Sequence, residues 1–392
     1  MLSAKHDLIL INRSFWPIYP VIGEALLRFA EKQSSKMKIG VILQDHVDIR
    51  SQLAKQSRGG GISFYPCKAF SVSGSGIIRR ILDALYFMLH VFLVLLFKRP
   101  KKVYVSTDPP VLVPLIVMLY CKIFKADYVY HLQDIHPEAA NVVVRINYIL
   151  YSVLRWLDSV VMRNAGLIIT ITDEMVQEIT SRSSTKSPVI VLQNPAVAFD
   201  SVTLPDAKKN GFTFCGNAGR LQRIPLLAEA ISHYYDLGGQ LPFVFAGGGV
   251  YASDLRVIAS KYPNFTYKGQ ISANEAAQLN SEYKWALLPI EDEVTRFAFP
   301  SKSSSYVYSG ACIVAICGKQ TSVASWVLDK QLGVVIRPET EVICEFFFDV
   351  ENQRLDTSHL DFDRQELKKQ LSFDVFVDRL IELVSRESLI HD

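Results

Sequence analysis

The sequence has no Cys-x-x-Cys pair: its six cysteines, at 67, 121, 215, 312, 317 and 344, are scattered and have no histidine at metal-ligand spacing. That pattern argues against structural zinc and for reduced cytosolic thiols, and no metal or cofactor is expected. Neither half of the chain places Gly-x-Gly-x-x-Gly at its first strand-to-helix loop, which weighs against a dinucleotide oxidoreductase. A formal net charge of +3 does not mark a general nucleic-acid binder. The first apolar run, Leu8–Ile11, is too short for a signal-peptide core and reads as a buried strand, so a cytoplasmic protein is expected. There is also no long uncharged span. Ala84–Phe97 carries no formal charge, but it is shorter than the roughly 20 residues needed to cross a bilayer. It is flanked by Arg79, Arg80, Lys98, Arg99, Lys101 and Lys102. Two readings of 77–102 stand side by side: a buried domain helix, or a helix dipping into an anionic membrane surface with its basic residues on the head groups. The apolar run Val111–Phe124, interrupted by Pro114, can share that surface.

What is present is a folded composition, 49% hydrophobic and 21% charged, over 392 residues, too long for one ordinary core. Short apolar runs alternate with helical patterns. In the first half the runs are 8–11, 37–43, 103–106, 128–132, 167–172 and 189–192, with helices expected from Glu24 to about Lys32 and over Tyr148–Arg163. In the second half Phe212–Phe214, Phe243–Ala246, Phe265–Lys268, Trp285–Ile290 and Cys312–Ile316 read as strands. Such alternation predicts parallel α/β domains. The division is placed at 1–200 and 205–370, joined by a linker over Phe199–Asn210. An amphipathic helix follows in 371–392, with apolar residues at 373, 376, 377, 380, 381, 383 and 384.

The chemistry is expected in loops that directly follow strands, the edge where open α/β sheets bind ligands. Gly216-Asn217-Ala218-Gly219-Arg220 allows close backbone approach and ends in a planar cation suited to phosphate. Gly247-Gly248-Gly249 brings bare backbone to the same edge. Pro300-Ser301-Lys302-Ser303-Ser304-Ser305 suits a helix start, whose free N–H groups attract anions, and Lys302 adds a full charge. Each loop alone is a weak signal. Their order and spacing together point to one anionic group.

These residues resemble the nucleotide-binding domain of glycosyltransferase family 4, retaining enzymes of the GT-B architecture. The resemblance rests on Gly216–Leu221, Phe245–Gly249, Asn264–Gln270, Leu288-Pro289 and Pro300-Ser301-Lys302, continued by Tyr306–Gly310 and Ile313–Ala315. A looser similarity runs through Trp16-Pro17, Gly23, Gln133–Glu138 and Gln193-Asn194-Pro195. It is closest to bacterial members that build surface polysaccharides on lipid carriers. It implies two Rossmann-like α/β domains facing a cleft, with a C-terminal helix that can cross back to the first. It also implies transfer of a hexosyl or N-acetylhexosaminyl group from a nucleotide-diphosphate sugar to a lipid-linked or saccharide acceptor, peripherally at the inner face of the cytoplasmic membrane.

By that resemblance Arg220 and Lys302 neutralise the donor diphosphate, helped by Ser301, Ser303 and Ser305 at the helix start, with Gly219 in the first loop. Arg223 stands for the family's other usual cation. Gly23 lets the N-terminal loop approach the phosphate or sugar, and the base lies near Gly247–Gly249 and Gly269, Gln270 and Ile271. Many members carry two glutamates separated by seven residues; here those positions hold Phe297 and Ser305, while Glu291 and Glu293 lie out of register. Asp134 and His136, at a strand end, either orient the acceptor or sugar hydroxyls, or are a helix cap and a surface histidine before Pro137. His131 reads as a core residue, Glu138 as a sugar ligand or a helix-start acid, and Phe15 and Trp16 as stacking or core aromatics. Two rival readings are a nucleotide-sugar epimerase on the same architecture and a non-catalytic binding protein that kept the fold.

Overall fold

The computed structural model describes residues 6–71, 76–197, 202–203, 205–360 and 364–385. Parts of the expected linker 199–210, and the last residues of the C-terminal amphipathic stretch, lie outside them. The chain divides into two units, Met1–Asn194 with Phe373–Asp392, and Pro195–Ser372.

In the first unit the apolar runs become β1 (His6–Ile11), β2 (Ile39–Asp45), β3 (Ser63–Lys68), β4 (Pro100–Ser106), β5 (Asp127–His131), β6 (Leu167–Thr170) and β7 (Val189–Val191). They form one seven-stranded parallel sheet in the order β3-β2-β1-β4-β5-β6-β7. Leu8–Ile11 is buried throughout, as a strand covered on both faces must be. The order reverses between β1 and β4, so the loops leaving those two strands lie side by side at the ligand-binding edge. Helix Phe373–Ser385 turns its apolar spacing into a single face, and Phe376, Val377, Leu380 and Leu383 join the core of the first unit beside Leu26 and Phe29. Each such burial contributes about 1.5–3 kcal/mol. Lys32 Nζ and Asp378 close the rim at 3.0 Å.

The second unit contains β8 (Lys209–Cys215), β9 (Phe243–Ala246), β10 (Phe265–Tyr267), β11 (Tyr283–Pro289), β12 (Cys312–Ile316) and β13 (Gly333–Ile336). Its parallel order is β10-β9-β8-β11-β12-β13. Aromatic packing fills one side of this sheet, with Phe212 stacked on Phe243 at 4.7 Å and Phe347 edge-on to Phe243 at 4.8 Å. The switch point here lies between β8 and β11. Each unit is thus a Rossmann-like α/β domain, the architecture expected from the alternating pattern.

Candidate active site

In the second unit, the loops after β8, β9 and β10 are laced by backbone hydrogen bonds. Gly216 N donates to Ala246 O at 2.9 Å, Ala218 N to Gly248 O at 2.7 Å and Gly247 N to Gly269 O at 2.7 Å. Two glycines are obligatory for this contact. Gly247 has φ +132, and a Cβ there would stand 1.9 Å from Gly216 O; Gly249 has φ +138, with Ala218 O at 2.4 Å from the same position. Side chains are excluded both sterically and by backbone conformation. Gly269, at φ +67, lies two residues beyond β10 with open space at its Cβ position, and Gly248 faces the exposed side chain of Gln270, 3.8 Å from its ideal Cβ position. Ile271 packs against Cys215, Val244 and Ala246.

Lys302 completes this cluster. A Cβ on Gly216 would be 3.1 Å from Lys302 Nζ, so the bare backbone of the first loop is what leaves room for the ammonium. The helix starts at Lys302 rather than at Pro300, with Ser301 as an N-cap that makes no side-chain cap bond. Within its first turn Ser303 N donates to Pro300 O at 3.0 Å, and the positive end of the helix dipole stands at Lys302. Ser301 is exposed, Ser303 buried and Ser305 half-buried. Tyr306 pins the helix to the sheet: its hydroxyl donates to Leu287 O at 3.1 Å and accepts from Cys215 N at 3.4 Å.

Lys302 as a residue is half-buried, but its Nζ is shut off from solvent and has no hydrogen-bond partner among the described residues. It lies 3.8 Å from the centre of the Phe214 ring. Burial pushes the ammonium down to about 7, and the neighbouring Cys215 thiol is pushed up to about 12, so no thiolate neutralises it. A buried cation without a counter-charge is costly, and the site is complementary to an anion. Phe214 was not singled out from the sequence; its place at the end of β8, opposite the lysine, was the available signal.

The two arginines differ. Arg220, which follows the N-cap Gly219 of a short turn, is exposed and makes no ion pair among the described residues. Arg223, expected as the second donor cation, is tied to its own chain. Its Nε donates to Ile290 O at 2.7 Å, and Nη2 lies 3.0 Å from Asp292 and 3.1 Å from Glu291. Asp292 also accepts from Gly318 N at 2.8 Å. Arg223 is thus a strut between loops at the β8/β11 switch, and it takes up Glu291. Burial still raises the Glu291 carboxyl above its ordinary value, against the lowering by Arg223. Glu293 is exposed.

The first unit has its own polar cluster at the β1/β4 switch. Arg13 N donates to Asp108 O at 2.8 Å, Ser14 N to Asp108 Oδ2 at 2.8 Å, and Arg13 Nε to Asp108 Oδ1 at 3.1 Å. Asp108 pushes in the same direction as burial on Asp134, whose carboxyl rises to about 6. Burial, with Arg182, lowers His136 to about 4, so the imidazole is neutral. Asp134 is not a helix cap: the next helix, Glu138–Val143, has Pro137 at its N-cap and no side-chain cap. Asp108 and Arg13 were missed in the sequence. Their signal was position, since each lies just beyond the end of a central strand.

Three other first-unit readings resolve structurally. Gly23 lies inside helix Ile22–Gln33, and a Cβ there would meet Trp16 N at 2.6 Å; it admits the Phe15–Trp16 backbone against the helix. Phe15 and Trp16 are buried in the core. Glu138 is held by Arg182 at 2.6 Å and Arg155 at 2.9 Å, while Arg182 also grips Asp158 and donates to His136 O at 2.9 Å. His131 is buried and neutral, pushed down to about 3 by burial. It accepts from Gln133 Nε2 at 2.7 Å, which leaves its Nδ1 proton for the Tyr104 hydroxyl at 2.5 Å.

No protein-family model matches the sequence, and no curated protein does. Solved structures match over almost the whole chain. HepE from Anabaena, solved with UDP, is 13% identical with a TM-score of 0.65 and covers 97% of this chain and 99% of its own. Sucrose-phosphate synthase from Thermosynechococcus elongatus is 11% identical, TM-score 0.69, over 96% of this chain and 97% of its own. A Listeria monocytogenes protein described as a UDP-N-acetylglucosamine 2-epimerase is 11% identical, TM-score 0.62, over 98% of each chain. The chain therefore has the GT-B fold, a fold these proteins use for more than one reaction.

Proposed function

We propose that this protein is a retaining glycosyltransferase that moves a hexosyl or N-acetylhexosaminyl group from a nucleotide-diphosphate sugar to a lipid-linked or saccharide acceptor. The reading belongs with family 4 and with synthesis of a bacterial surface polysaccharide such as lipopolysaccharide, at the cytoplasmic face of the membrane. One observation carries it: a buried ammonium without a counter-charge, at a helix start, against three interlaced glycine loops. That combination fits a leaving diphosphate. The UDP held by HepE, a protein of like fold, agrees with it.

In this reading Lys302 and exposed Arg220, with the positive end of the helix that starts at Lys302, neutralise the diphosphate, and Gly247–Gly249 with Gln270 border the base. The bond from the anomeric carbon to the phosphate oxygen breaks as the acceptor oxygen attacks the same face. The acceptor's proton passes to the departing phosphate oxygen. Asp134 and His136 orient hydroxyls, the neutral imidazole serving as donor or acceptor.

The test is thermal unfolding with a panel of nucleoside diphosphates, on the native chain and on Arg220→Ala. A ligand at 100 times its Kd stabilises by about 2.7 kcal/mol. Stabilisation by one diphosphate, weakened in the variant, supports the site and names the base. No shift with any nucleotide sinks the transferase reading in favour of a binding protein. Conversion of a nucleotide-sugar without any acceptor favours an epimerase.

A further inference from the structure

Three neighbouring helices of the first unit, Ile77–Lys98, Leu112–Phe124 and Tyr148–Asn164, pack side by side in that order. The first is not a core helix. Only 22% of its apolar stretch is buried, along the stripe Phe87, Val91 and Leu95 at four-residue spacing. Half-buried residues such as Met88 and Val94 flank that stripe, and the outer side is apolar and exposed, with Ile78 72% and Leu82 60% exposed. The neighbours continue the surface: Ile123 on the second helix is 72% exposed, and Ile149 and Trp156 on the third are 72% and 62%. An apolar surface spread over three helices is more than a monomer normally leaves to water.

The charge on this face has one sign. Across the three helices the only acidic residues are Asp83 and Asp158, and both point inward. Asp83 accepts from Phe70 N at 3.0 Å and Ser71 Oγ at 2.6 Å; Asp158 is bound by Arg182 and accepts from the Tyr130 hydroxyl at 2.7 Å. The exposed charges on and beside the helices are Arg79, Arg80, Lys122, Lys125, Arg145 and Arg163. A second copy of the same face would bring cation against cation. Anionic lipid head groups complement the cations, and the acyl boundary accepts the apolar side chains. Trp156 and Tyr148, 62% and 80% exposed, are the residue types favoured at a membrane interface.

We propose that these three helices together form a docking face that lies flat on an anionic phospholipid bilayer, with the third helix as an anchor equal to the first. The face deepens the transferase reading by naming the surface at which the acceptor is met, yet it rests on exposure and charge rather than on the diphosphate site.

The test is sedimentation of the full chain with vesicles of phosphatidylcholine, alone or mixed with phosphatidylglycerol. Binding should be at least about tenfold stronger to the anionic vesicles, weakened but not abolished by salt. Ile149→Glu with Trp156→Glu should lower it by about tenfold. These side chains face outward, so the variant's unfolding temperature and its diphosphate response should stay unchanged. Absence of binding to either vesicle overturns the proposal, as does a folded variant that binds lipid normally. A dimer that the variant dissociates, without lipid binding, assigns the face to a second copy and also overturns it. Diphosphate stabilisation without vesicle binding defeats only this inference; vesicle binding without diphosphate stabilisation defeats only the transferase reading.

Discussion

The ammonium of Lys302 lies 3.8 Å from the centre of the Phe214 ring and makes no hydrogen bond among the described residues. The ring face lies against the ammonium in place of water, and a cation–π contact of this kind returns only about 2 kcal/mol when desolvated. Folding holds the ammonium at about 7, down from 10.5, a penalty on the order of a few kcal/mol at neutral pH. The fold keeps a cation that it does not need for stability.

Lys302→Met should therefore raise the unfolding temperature of the ligand-free protein, since the thioether keeps the volume and removes the buried charge. The same variant should lose stabilisation by nucleoside diphosphates. Both readouts come from one thermal-shift series. A variant that is less stable, or that still responds to diphosphate, contradicts this account of the lysine.

The pH dependence of binding follows with a definite sign. A bound diphosphate favours the charged lysine, so binding takes up a proton wherever free Lys302 is neutral. Diphosphate affinity should fall as pH rises through about 7, by up to about tenfold per pH unit. Titration calorimetry above pH about 7, where the nucleotide's phosphates are ionised, isolates the effect. In Lys302→Arg the dependence should vanish over this range. A flat profile in the native chain would mean that the ammonium is already solvated.

Gly247→Ala places a methyl group 1.9 Å from Gly216 O at φ +132. It should destabilise the second unit by about 2 kcal/mol or more and abolish the diphosphate response. Gly248→Ala is the control: its Cβ meets nothing nearer than 3.8 Å, and stability should stay within about 0.5 kcal/mol. The quantity to compare is the unfolding transition that diphosphate shifts in the native chain.

Arg182→Met leaves Asp158 and Glu138 buried without their shared partner. A loss of about 3–5 kcal/mol is expected at neutral pH. Burial already raises the Asp158 carboxyl, against the pull of Arg182. Without that pull the carboxyl rises further, so the loss should shrink as pH falls and Asp158 takes up its proton. Adding Asp158→Asn should recover part of the stability. Equal melting of single and double variants would show that the unpaired Asp158 charge is not what costs the stability.

The alternation of apolar runs with helical periodicity was legible because a buried parallel strand and an amphipathic helix each carry their own local pattern. The glycine loops and Lys302 were legible for the same reason: strand-end glycines and a Pro-Ser-Lys helix start are local signals, although the helix begins two residues later than Pro300. The parts that depend on distant partners were not legible. Arg220 and Arg223 are three positions apart and chemically alike, but Glu291 and Asp292 arrive from another loop and engage only Arg223. Gly23 has the composition of a ligand loop, and only the packed Phe15–Trp16 backbone shows why a Cβ is excluded there. The apolar helix 77–98 reads equally as core or surface, because hydropathy records what a side chain prefers and not what stands opposite it. Tertiary packing decided that question by burying one stripe of the helix and leaving its outer side exposed.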